Sequence, residues 1–111
     1  MLNQVVLVGR IVRNPELRMT ESNKNVTTIT LAIPRSFKNM NGEYDTDFID
    51  CILWENTAKS TVEYCKKGDI IGIKGRLQSR IVEKEEKQYL MELIAEKVTF
   101  LSSTSKEKTD E

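Results

Sequence analysis

Histidine is absent from all 111 residues, and that absence removes more chemistry than any other feature of the chain. General acid–base catalysis would fall to carboxylates, Lys, Tyr or Cys. A His-containing zinc site is excluded, and the two cysteines, Cys51 and Cys65, fall short of the four ligands a structural zinc takes. Both fit reduced core positions, with no disulfide expected. Glycine occurs five times, at spacings that match neither a P-loop nor a dinucleotide fingerprint. No apolar run approaches the ~20 residues that span a bilayer, and Met1-Leu2-Asn3-Gln4 carries no basic segment ahead of the first apolar run. A cytoplasmic protein without cofactor or membrane is the expectation.

Net charge is also missing: 17 Lys and Arg balance 17 Asp and Glu. The balance is uneven along the chain. Residues 1–82 hold 12 basic against 9 acidic residues, and residues 83–111 hold 5 against 8. A basic face within the first part therefore remains open.

The chain is long enough for one domain, expected over 1–101, with a polar tail over 102–111 that has little to bury. Val5–Val12 is apolar at both parities, so both faces of a first strand look buried, one of them by a second subunit through Val5, Leu7 and Val8. A second strand runs from Asn25 to Ile33 and ends at Pro34. Asn41-Gly42 is the turn signal within the polar connection that follows. Phe48–Trp54 forms a third strand. Asn56–Lys67 is the helical candidate, with Asn56 as its cap, a stripe of Ala58, Val62 and Cys65, and Lys66-Lys67-Gly68 as its stop. Two further strands, 69–82 and 88–100, flank an exposed hairpin tip at Glu83–Lys87. Three strands, a helix and two strands is the element order of an all-β OB-fold, a five-stranded Greek-key barrel with one helix between strands three and four.

Aromatic residues number only seven, with one Trp, so their placement is informative. Phe48 and Trp54 lie six residues apart, which puts both rings on one face of a strand. They either fill a barrel core or, with Phe37, form a stacking platform for unpaired bases. Lys74, Arg76 and Arg80 share one side of the fourth strand, spaced to follow a phosphate backbone or to form an ordinary wet face. Asp45, Asp47 and Asp50 are read as solvated turn acids; a catalytic carboxylate cluster is the enzymatic alternative.

Taken in order, these segments resemble the bacterial single-stranded DNA-binding protein family. The resemblance rests on Met1–Arg10, Asn14-Pro15-Glu16-Leu17-Arg18, Thr30-Leu31-Ala32, Asp47–Trp54, Lys66-Lys67-Gly68 and Gly75-Arg76-Leu77, and covers residues 1–101. It implies a non-enzymatic homotetramer, a dimer of dimers, that coats single-stranded DNA in replication, recombination or repair. It also implies stacking by Phe37, Phe48 and Trp54, and strand contacts from Arg10, Arg35, Lys67, Arg76 and Arg80. The family commonly carries a further aromatic where this chain has Ile81-Val82, for which Tyr89 across the hairpin is a substitute. Family members usually end in a linker and an acidic tip closing with Pro-Phe. This chain ends at Lys108-Thr109-Asp110-Glu111, so recruitment of replication and repair proteins through such a tip is not expected. The alternative within the same fold is a primosome-type dimeric adaptor that works through protein contacts.

Overall fold

The computed structural model describes residues 1–103. Its elements are β1 (Val5–Ile11), β2 (Arg18–Met19), β3 (Asn25–Lys38), β4 (Tyr44–Trp54), α1 (Glu55–Tyr64), β5 (Ile70–Glu83) and β6 (Lys87–Ser102). Strand order is β1-β5-β6-β4-β3-β2, and β1 also pairs with β3, which closes five long strands into a barrel. All pairings are antiparallel except the β4–β6 contact at Ile52 and Ile94. The helix lies between the third and fourth long strands, as an OB-fold requires. Among the described residues no helix is long and apolar enough to cross a membrane.

The core follows from strand alternation. Ile11, Ile29, Leu31, Cys51, Leu53, Ile71 and Ile73 are fully buried, and α1 contributes Ala58. Gly75 sits where β6 bulges past β5, and a Cβ there would collide with the Ile94 carbonyl.

Several boundaries differ from the sequence reading. Pro34 does not end its strand: β3 continues to Lys38 and pairs Pro34 with Thr46. Beyond Ala32 only β4 flanks β3, and the ladder shifts register between Pro34 and Lys38, so a missing N–H is tolerated there. The hairpin turn falls at 39–43. Asn39 Oδ1 accepts the N–H groups of Asn41 and Glu43 at 2.8 and 3.0 Å, and Gly42 takes the left-handed conformation at φ 81°.

The helix is shorter than expected, and Asn56 lies inside it. Trp54 occupies the cap position without a side-chain cap, because β4 runs straight into α1 through Glu55 at φ 52°. That conformation costs an L-residue ~1–2 kcal/mol, offset by the bond from Asn25 N–H to Glu55 Oε1 at 2.7 Å. Lys66 and Lys67 lie past the helix in a turn closed by Asp69, whose Oδ2 accepts Lys66 N–H at 2.9 Å. This turn docks on β1 through Gly68 N–H to Ile11 O and Ile11 N–H to Asp69 O.

In the single chain β1 buries one face. Gly9 and Ile11 are enclosed and Val5 and Leu7 are half-buried, whereas Val6 and Val8 are 68% and 53% exposed. Ser102 is the last residue of β6, and residues 104–111 of the anticipated polar tail lie outside the described residues.

Candidate nucleic-acid interface

Alternation along β4 settles which way the rings point. Cys51 and Leu53 are buried and Ile49 packs against the core, so Phe48, Asp50, Ile52 and Trp54 face outward. Phe48 is 67% exposed and Trp54 39%, so core filling does not account for them. They stand about 20 Å apart along the strand, a span of several nucleotides. Phe37 is 63% exposed, on the part of β3 beyond the barrel where the ladder with β4 shifts register.

Cross-strand register gives this face its rows. Arg10 on β1, Ala32 on β3 and Phe48 on β4 pair in line. At the other end Arg18 on β2, Val26 on β3 and Trp54 on β4 do the same. Between these rows Thr30 pairs with Asp50, and its hydroxyl donates to Asp50 Oδ1 at 2.5 Å. Trp54 also walls a groove of about 330 Å³ with Thr20, Ser22, Lys24 and Glu55. A second groove, about 360 Å³, runs between Val8 and Pro34 beside Arg10.

The cations differ in how free they are. Arg35 grips Asp47 in a fork, Nη2 to Oδ1 at 2.9 Å and Nε to both oxygens at 3.2 Å, with Asp45 3.7 Å from Nη1. The hydrogen bond and the opposite charge hold Asp47 below the ordinary carboxylate range and raise Arg35 further. Arg76 Nη1 donates to Gln78 Oε1 at 2.7 Å, as residues on one strand face should, while its Nε lies 3.6 Å from Glu96. Arg80 Nη2 is 3.2 Å from Glu92. Lys74 pairs in register with Val6 and Lys97 and has no acidic partner among the described residues. Arg10 Nη1 donates to the neutral Gly68 carbonyl at 2.7 Å, and Lys67 stands exposed in the turn after α1, its backbone N–H bonded to Asn14 Oδ1.

The fold separates other expected groupings. Asp45 and Asp47 serve Arg35 while Asp50 serves Thr30, so the three acids form no single carboxylate site. Among the described residues no cluster of three or more His, Cys, Asp or Glu is placed to hold a metal ion. Burial, with Asp50 adjacent, pushes the Cys51 thiol up to about 11, and burial and Asp69 raise Cys65 as well, so the folded barrel disfavours both thiolates. Of the residues expected at a subunit contact, Val8 faces outward, while Val5 and Leu7 pack toward the core.

A profile of the single-strand binding protein family matches residues 2–101. The chain belongs to that family. It is similar to single-stranded DNA-binding protein B of Bacillus subtilis, 44% identical over 97% of this chain and 97% of that one. Similarity extends to single-stranded DNA-binding protein 1 of Lactococcus lactis, at 47% identity over 93% of this chain and 70% of the relative. It also reaches single-stranded DNA-binding protein 1 of Streptococcus agalactiae serotype III, at 46% over 93% and 64%. Members of the single-strand binding protein family are non-enzymatic DNA-binding proteins.

Against that family background one feature was not foreseen from the sequence. Arg18 comes into line with Trp54 through β2, a strand of two residues with no periodicity to read. Tyr89, expected across the hairpin from Ile81-Val82, is 73% exposed and pairs in register with Ile81.

Proposed function

We propose that the chain binds and coats single-stranded DNA without strong sequence preference, in replication, recombination or repair. The observation that carries this reading is the outward pair Phe48 and Trp54 on one strand face, each in cross-strand line with an arginine. Bases stack on the rings, and Arg10, Lys67 and Lys74 neutralise phosphates. Arg35, Arg76 and Arg80 join once their carboxylates are displaced, and Phe37 extends the platform. A duplex hides base faces, so unpaired DNA is preferred.

Residues 1–101 form the binding unit, and the protein acts in the cytoplasm, at the nucleoid. Exposed Val6 and Val8 on β1 support pairing with a second copy, which would cover an otherwise adhesive apolar strand. Two such pairs make a tetramer of four 12.8 kDa chains that wraps the strand through linked sites.

The test is titration with oligo-dT while following Trp54 fluorescence, repeated over a range of salt. Quenching is expected, with log affinity falling by ~0.7 per phosphate neutralised for each decade of salt. Absence of quenching, or an affinity indifferent to salt, would overturn the reading.

A further inference from the structure

We propose that Arg13 and Arg18 form a phosphate subsite that holds the DNA backbone beside Trp54; this rests on the single-strand-binding reading and adds a location to it. Both residues line a groove of about 510 Å³, together with Asn14, Glu16 and Thr28. Neither has an ion pair or a side-chain hydrogen bond among the described residues, although Glu16 lines the same groove. Arg35, Arg76 and Arg80, by contrast, already face carboxylates. A phosphate must displace an acid at those three positions and need displace only water at Arg13 and Arg18.

The groove is also held in shape before any ligand arrives. Asn14 Oδ1 accepts Lys67 N–H at 2.8 Å, and the Glu16 carbonyl accepts the Thr27 hydroxyl at 2.8 Å. One bond pins the 12–17 loop to the turn after α1 and the other pins it to β3. Arg18 is then fixed in the row Arg18–Val26–Trp54. A base stacked on Trp54 leaves its phosphate either over the middle of the β3–β4 face or toward β2. The middle holds the Asp50 carboxylate, which repels it. The side toward β2 holds two unpaired guanidinium groups, whose planar forks suit phosphate oxygens.

The decisive comparison uses the full chain with Arg13→Gln and Arg18→Gln combined, titrated with oligo-dT over salt. Affinity at 0.1 M salt should fall about 5-fold if the pair shares one phosphate and about 25-fold if each holds its own, with the log–log slope shallower by ~0.7 or ~1.4. Trp54 quenching at saturation should match wild type, because the stack is retained. Arg13→Lys with Arg18→Lys should keep the wild-type slope, and Lys59→Gln on α1 should change nothing. If the double glutamine variant keeps the wild-type slope and affinity, the subsite is wrong while the single-strand-binding reading stands. If wild type itself fails to bind oligo-dT, that reading falls and takes the subsite with it. Should the double variant melt early, the wild-type Arg13 and Arg18 Nε–H resonances decide: shifts on adding oligo-dT support the subsite, and their absence overturns it.

Discussion

The outer face of β3 and β4 and the β5–β6 arm both carry arginines and apolar side chains, yet they are built in opposite ways. On the β3–β4 face, Trp54 lies in line with Arg18 and Phe48 with Arg10, and neither of those arginines has a carboxylate partner among the described residues. On the arm, Arg76 and Arg80 each face a glutamate across the strand pair, and Ile81, Tyr89 and Met91 stand exposed at the alternate positions. A basic stripe in the sequence therefore says where cations are, and the cross-strand register says whether their charge is available. Fields and affinities follow the second.

The largest expected effect separates the two sides of β4 itself. Leu53→Ala should cost about 2–5 kcal/mol of stability, read by denaturant midpoint, because Leu53 is wholly enclosed. Trp54→Ala, one residue on, should leave the fold intact and cost about 1–3 kcal/mol of oligo-dT affinity, as should Phe48→Ala. Equal stability losses at 53 and 54 would break the distinction between core and platform. Next comes assembly: Val8→Arg should convert a species near four times 12.8 kDa into a smaller one in sedimentation, without unfolding it. The same charge at Leu7 should instead destabilise the barrel, since that side chain packs inward.

A smaller effect tests whether the arm is held in check by its own acids. Glu92→Gln frees Arg80, so single-strand affinity should rise several-fold and the salt slope steepen by ~0.7. Unchanged binding would mean that Arg80 contacts no phosphate. The smallest effect concerns Asp47. Its folded-state pKa is depressed, so the Arg35–Asp47 contribution to stability is present above the ordinary carboxylate range and disappears as pH falls through that lowered value. NMR titration of the Asp47 carboxyl should show it returning toward ordinary behaviour in Arg35→Ala. Both groups are solvent-exposed, so overall stability should hardly move.

Much of the barrel was legible because alternation and punctuation act locally. The Asn41-Gly42 turn, the helix after the third long strand and the hairpin tip between Glu83 and Lys87 all appear where short-range chemistry placed them. The errors came where a neighbour decided. Pro34 stays in a strand because β3 is an edge there. Lys66 and Lys67 leave the helix because Asp69 and Asn14 claim their backbone N–H groups. For the interface, the even spacing of Phe48 and Trp54 fixed their common side. The acids opposite Arg35, Arg76 and Arg80 lie 10 to 20 positions away and become neighbours only when the register is known.

Cys51 lies midway between Phe48 and Trp54 with its thiol walled inside the barrel, and it thereby offers a clock. An alkylating reagent can reach that sulfur only during moments when β4 parts from its neighbours, so the modification rate in native buffer counts those openings. A strand lying across Phe48 and Trp54 would clamp the same segment from outside. Adding oligo-dT should then slow alkylation of Cys51, giving a record of occupancy that needs no fluorophore and leaves the outward face untouched.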